Sequence, residues 1–231
     1  MGNRSSAYEE VIALFDSLSR IIPDFVDGKN AILDMKNGGS PNWRQMEWIG
    51  FWFEYFLESN LIPMLGGSSG PTYGTTRFDF KKKFVWDLKA HPIESKTLIL
   101  NDQKAVKECA SNEGGVGFII VSGETTYDDE QSSFKIWHDT LKGGTSAYEK
   151  ERVKRGAPSR RRKVSFKPSK LHSIWFDNLN EINLAVEAGW LKSFQTGMRN
   201  SNSKPRPAKF MLNLNQIPKI NMISELEIIR K

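Results

Sequence analysis

The sequence predicts an α/β fold, a mixed central β-sheet flanked by helices. Three observations predict it. Segments with apolar residues at helical spacing alternate with short runs rich in β-branched and aromatic residues. Two apolar runs meet around residues 81–83 as a hairpin, so at least one strand pair is antiparallel. The chain has 231 residues, 39% of them hydrophobic, with seven Trp and fourteen Phe, which suits one domain with a sizeable core.

Residues 7–25 place Val11, Ile12, Leu14, Phe15, Leu18 and Ile22 at helical spacing, and Pro23 interrupts the pattern. A second helix is expected over 43–57, with Ser40 as its cap and Pro41 at the first helical position. Glu47, Glu54 and Glu58 fall on one face of it. Residues 65–76, LGGSSGPTYGTT, are a Gly/Ser/Pro loop. Beyond the hairpin come a helix over 102–110, a Gly-rich turn at 113–115 and a strand over 116–122, VGFIIVS. Residues 139–170 are polar and basic with few apolar anchors, 171–179 are mixed, and 181–194 look helical. A Ser/Pro/basic linker over 199–207 leads to strands over 209–215 and 225–230. No internal repeat is evident.

A single cysteine, Cys109, rules out a disulfide scaffold and a cysteine-rich zinc site, and fits a reducing compartment. Acidic residues precede any long apolar run at the N-terminus, which argues against a secretory signal. No run approaches the roughly 18 apolar residues of a membrane span. A soluble cytoplasmic protein without a membrane partner is the expectation. Charge is uneven: residues 142–170 hold eleven Lys and Arg against Glu149 and Glu151, a local +9 within a total of +6. Such a stretch on a mildly acidic body fits a polyanion partner, the plainer reading being a solvated loop. At its centre Ser159-Arg-Arg-Arg-Lys-Val-Ser-Phe-Lys167 mixes guanidinium groups with hydroxyls, donors suited to phosphates and guanine edges.

Several chemistries fit poorly. The glycine-rich stretch 66–74 lacks the Gly-Lys-Ser/Thr ending of a nucleotide-phosphate cradle. His91, His138 and His172 have no nucleophile context.

The most telling stretch is 77–91, RFDFKKKFVWDLKAH. On a strand Phe84, Trp86, Leu88 and Ala90 share one face, while Asp87, Lys89 and His91 share the other. The first set packs on a core. The second puts a carboxylate, an ammonium and an imidazole inside a hydrophobic strand, which is costly without a ligand or metal. If paired positions of the hairpin sum to an even number, Asp79 and Asp87 share a face; an odd sum separates them. In the even case two carboxylates stand roughly 5–8 Å apart at their β-carbons and call for a cation. With oxygen ligands alone, that cation is Mg2+, or Mn2+ in its place, rather than zinc. Lys89 then faces the water or phosphate at the ion. The plain alternatives are a surface pair for Asp87 and Lys89, a turn-flanking acid for Asp79, and a polar helix face for Glu54.

Asp79, then Asp87-Leu88-Lys89 on the next strand, preceded by a helix bearing Glu54, resembles the catalytic core of PD-(D/E)XK nucleases, especially type II restriction endonucleases. The resemblance spans residues 47–122 and departs from the family pattern at Phe78, where proline is usual. It implies a restriction-endonuclease-like fold and a Mg2+-dependent, sequence-specific double-stranded DNA endonuclease leaving 5′-phosphate and 3′-hydroxyl ends. It implies metal ligands at Asp79, Asp87, the Leu88 carbonyl and Glu54, with Lys89 positioning the attacking water. Residues 1–231 then form one nuclease domain, with a catalytic core over about 41–122 and a DNA-contacting segment over about 139–170. His91, Arg160, Arg161, Arg162, Lys163 and Lys167 are the expected DNA contacts, and a homodimer would suit a palindromic target. The alternatives are a structure- or mismatch-specific repair nuclease and a non-catalytic nucleic-acid-binding protein.

Overall fold

The computed structural model describes residues 3–199 and 205–228. Helix α1 (Arg4–Ile21) stops where expected, with Ile22 already extended ahead of Pro23. A short strand β1 (Val26–Asp27) leads into α2 (Gly28–Asn37), a helix the sequence pattern did not announce. Asp27 makes it: its Oδ1 accepts the Asn30 amide at 3.0 Å, while Ala31, Ile32 and Met35 bury one face. The next helix begins later than the residues 43–57 expected of it. Ser40 and Pro41 open a 3-10 turn (Pro41–Arg44) that ends in an extended Gln45, and α3 runs from Trp48 to Leu65. It continues through Pro63 because Leu57 and Leu61 remain buried on the same side.

Two small strands, β2 (Thr72–Tyr73) and β3 (Thr76–Arg77), pair around Gly74 within the expected loop. Strands β4 (Phe80–Lys81) and β5 (Val85–Pro92) form the expected hairpin, with Phe80 opposite Trp86 and Lys81 opposite Val85. This is the even register. Continued by one position, it sets Asp79 opposite Asp87.

Strand β6 (Thr97–Asp102) precedes α4 (Gln103–Asn112), and β7 (Val116–Tyr127) then runs parallel to β5. Helices α5 (Ser133–Leu141) and α6 (Ala147–Lys154) follow, and β8 (Lys163–Phe176) returns antiparallel to β7. The basic segment is therefore no loop: part of it is helical, and its end begins the longest strand. Charges at Lys163, Lys167 and Lys170 mask the apolar Phe166 and Leu171 there, and pairing on both sides makes the strand. The chain ends with α7 (Leu179–Glu187), β9 (Leu191–Phe194), β10 (Lys209–Asn213) and β11 (Met222–Glu227). So the segment 181–194 is half helix and half strand, turning at Gly189 with φ of 78°. The last strand starts before Glu225; of its expected span, residues 229–230 lie outside the described residues, as do 200–204 of the linker.

The main sheet has the order β1-β8-β7-β5-β4, with β11 also on β8, and β6-β10-β9 form a second sheet. This is the expected mixed α/β architecture. Two apolar clusters cover the main sheet. On one face α1, α2 and α3 pack on Trp86, Leu88, Ile119, Val121 and Trp175. On the other, α4, α7 and the second sheet cover Val85, Phe118, Ile120, Ile174 and Phe176. The alternation expected for β5 thus holds, with Asp87 and Lys89 on the α4 side. Trp86 and Trp175 meet at 5.4 Å between ring centroids, and a Cβ at Gly117 would come within 2.2 Å of the Trp86 ring. Gly117→Ala should therefore lower stability by about 1–3 kcal/mol, read as a drop in the urea midpoint at unchanged slope. Among the described residues no helix is long and apolar enough to cross a membrane.

Candidate active site

Phe78, standing where the resembled pattern has proline, is fully buried in the α4-side core. It anchors the chain so that Asp79 takes up the hydrogen bonding of β5 where β4 has not yet begun: Asp79 Oδ2 accepts the Leu88 amide at 2.7 Å. In an extended strand the N–H and C=O of one residue face the same side. The Leu88 carbonyl therefore faces the side on which Asp79 lies. Asp87 is 1% exposed; its Oδ1 accepts from Asn101 Nδ2 at 2.7 Å, and its Oδ2 lies 2.5 Å from Lys89 Nζ. Glu54 enters from the middle of α3 and feels the charges of both Lys89 and Asp87.

The electrostatics are lopsided. Burial pushes the Glu54 carboxyl up to about 7; the Asp87 and Glu58 charges add to this, and Lys89 and Lys209 oppose it. Burial likewise holds Asp79 well above the usual carboxylate range, reinforced by Asp87 and Glu54 and countered by Lys89 and the Leu88 amide. Burial alone would lower the Lys89 ammonium, but Asp87, Asp79 and Glu54 outweigh it and raise it. Three carboxylates thus depend on one close ammonium, and two of them resist ionising. A small divalent cation would relieve that repulsion, and hard carboxylate and carbonyl oxygens are the donors magnesium takes. Among the described residues no three His, Cys, Asp or Glu side chains form a ready-made cage.

A cleft of about 510 Å3 reaches Glu54 and Asp79 of this group, lined also by Phe51, Tyr55 and Glu58 of α3, by Arg77, and by the turn at 38–42. Glu47 and Glu58 are engaged in ion pairs: Glu47 with Lys163 at 2.8 Å and Glu58 with Arg77 at 2.7 Å. Gln103 supports the fold rather than the site, donating to the Lys209 carbonyl at 3.0 Å, and Lys104 is exposed. Cys109 is core, as expected.

The expected DNA contacts separate into two groups. Arg160, Arg161 and Lys167 are exposed, Arg161 donating to the Asp128 carbonyl at 2.8 Å, and Lys163 is half-buried against Glu47. His91 and Arg162 are buried, at 3% and 5% exposure. His91 shares the face of β5 that carries Val85 and Asp87, and Arg162 ends the loop that leads into β8.

Asn101 is the site residue that sequence reasoning missed. It lies on the unannounced β6, whose only signal is the alternation of Leu98 and Leu100 with exposed neighbours.

No family model matches the chain, and no curated protein matches it in sequence. Among solved structures it is similar to the restriction endonuclease BglI in a crystal structure bound to its DNA recognition sequence. The identity is 11%, covering 98% of this chain and 90% of that one, with a TM-score of 0.48. The fold described above stands on its own strand order and core, independently of that likeness.

Proposed function

We propose that this protein is a Mg2+-dependent endonuclease that hydrolyses phosphodiester bonds of double-stranded DNA at a specific sequence, leaving 5′-phosphate and 3′-hydroxyl ends. One observation carries the reading: a buried group of Glu54, Asp79 and Asp87, with more negative charge than Lys89 balances, opening on a cleft. Asp79, Asp87 and the Leu88 carbonyl would hold the ion, with Glu54 as a further carboxylate and Mn2+ able to substitute. When bound, such an ion polarises a phosphoryl oxygen and lowers the pKa of water.

The chain's own residues do the rest. Asn101 fixes one oxygen of Asp87, and the Leu88 amide fixes one oxygen of Asp79, so both carboxylates are oriented before substrate arrives. Lys89, held protonated among the carboxylates, orients the attacking water and meets the charge developing on the phosphate. Arg160, Arg161 and Lys167 grip the DNA backbone. Such contacts are salt-dependent and blind to sequence, so specificity comes from base contacts or DNA shape. A palindromic target would be met by a two-fold homodimer.

Plasmid digestion tests the proposal. Discrete fragments with Mg2+, none with EDTA, and 5′-phosphate ends are expected. A smear, or cutting only at mismatches and nicks, would favour a structure-specific repair nuclease. Binding without any metal-dependent cleavage would leave a non-catalytic nucleic-acid-binding protein.

A further inference from the structure

A second cleft of about 500 Å3 opens beside the first, and Phe51 is a wall of both. The segment after α2 runs between them: residues 38–42 line the catalytic cleft, and residues 44–47 line the second. Arg162, which ends the loop after α6, lines this second cleft at 5% exposure. Its Nε is buried without a hydrogen-bond partner, and it makes no ion pair among the described residues. A guanidinium stays charged at any pH a protein tolerates, and a buried charge without a partner is costly.

Two other charges here are paired, while Glu149 meets only a hydroxyl. Lys142 Nζ lies 2.8 Å from Asp139 Oδ1, Glu47 holds Lys163 at 2.8 Å, and buried Glu149 accepts from the Ser159 hydroxyl. Arg44 adds a second, exposed guanidinium, stacked 5.0 Å from the Trp43 ring and donating one N–H to the Lys142 carbonyl at 2.9 Å. Among the described residues no hydrogen bond or ion pair reaches the Arg162 guanidinium, although the Glu149 carboxylate lines the same cleft.

We propose that Arg162 and Arg44 hold a backbone phosphodiester in this second cleft, on the same DNA whose scissile phosphate lies at Asp79 and Asp87. The inference rests on the nuclease reading and adds a phosphate site to it. A phosphate suits the place better than a base edge. It is the outermost group of a duplex and can enter a cleft, whereas a buried guanidinium cannot reach into a groove. The wall shared at Phe51 lets one duplex occupy both clefts.

The test is the salt dependence of DNA binding, measured by anisotropy with a fluorescent mixed-sequence duplex in Ca2+. Arg162→Met, which keeps the volume without the charge, and Arg44→Ala should each weaken binding about tenfold at low salt. Each should also reduce the slope of log affinity against log salt by about 0.9, the loss of one phosphate contact. A merely structural role would not change that slope. A folded Arg162→Met with the wild-type slope overturns the inference, and the nuclease reading survives if the wild type still cuts. Should Arg162→Met fail to fold, an unchanged slope in Arg44→Ala overturns it and a reduced slope supports it. A wild-type protein that neither binds nor cuts DNA removes both readings.

Discussion

Asp87→Asn is expected to abolish Mg2+-dependent DNA cleavage while leaving DNA binding measured in Ca2+ intact. The substitution keeps the side chain's shape and its acceptor oxygen for Asn101, so the fold around β5 is preserved. What it removes is the charge that faces Asp79 and Lys89. A divalent ion at such a site supplies several kcal/mol of transition-state stabilisation, so the rate should fall about 10³-fold or more. Lys89→Met should cost a similar factor, since the Lys89 ammonium is the cation that Asp87 holds at 2.5 Å. Single-turnover cleavage of the mapped site measures both. Either variant cutting within tenfold of the wild type would disprove the assignment.

The second large effect is on stability and needs no substrate. Burial pushes the Glu54 carboxyl from its ordinary 4.5 up to about 7, so the folded protein holds its proton more tightly than the unfolded chain. Its contribution is then fully present below about pH 4.5 and is lost as pH rises through about 7, on the order of 3 kcal/mol in all. The histidines work in the opposite sense: burial lowers His91, and pulls His138 and His172 down to about 4, so each favours the fold more as pH rises toward 6.5. The informative quantity is therefore the difference between wild type and Glu54→Gln in metal-free buffer. The two should be closest below about pH 4.5, and Glu54→Gln should become steadily the more stable between about pH 4.5 and 7.5. Lys89 opposes the rise at Glu54, so Lys89→Met should carry the loss to higher pH. Mg2+ favours the ionised carboxylates and should stabilise the wild type more at pH 8 than at pH 5. Denaturation midpoints with and without Mg2+ decide it. A flat difference and no effect of Mg2+ would mean that these acids do not form a cation site.

The legible parts of the site are those carried by local spacing. Alternation over residues 84–91 separates Trp86 and Leu88 from Asp87 and Lys89 whatever the strand pairs with. Helical spacing puts Glu54 on a face of α3 wherever that helix begins, which is why its later start did not disturb the expectation. Less legible were elements whose signal is short or overwritten by charge. α2 depends on one capping contact from Asp27, β6 on two buried leucines, and β8 on partners that cover its apolar side chains beneath a basic sequence.

From the sequence alone came the chemical inventory: two aspartates flanking a hairpin, a lysine two residues beyond the second, oxygen donors with a single cysteine, and a concentrated positive charge. The tertiary structure decided which of these meet. The even hairpin register, the Asn101 bond to Asp87, the burial of His91 and Arg162 and the division of the surface into two clefts all depend on distant segments coming together. The spacing of neighbours along a chain constrains which face a side chain takes. What that face meets is set by non-local pairing and burial, where the desolvation and charge–charge energies of the site arise.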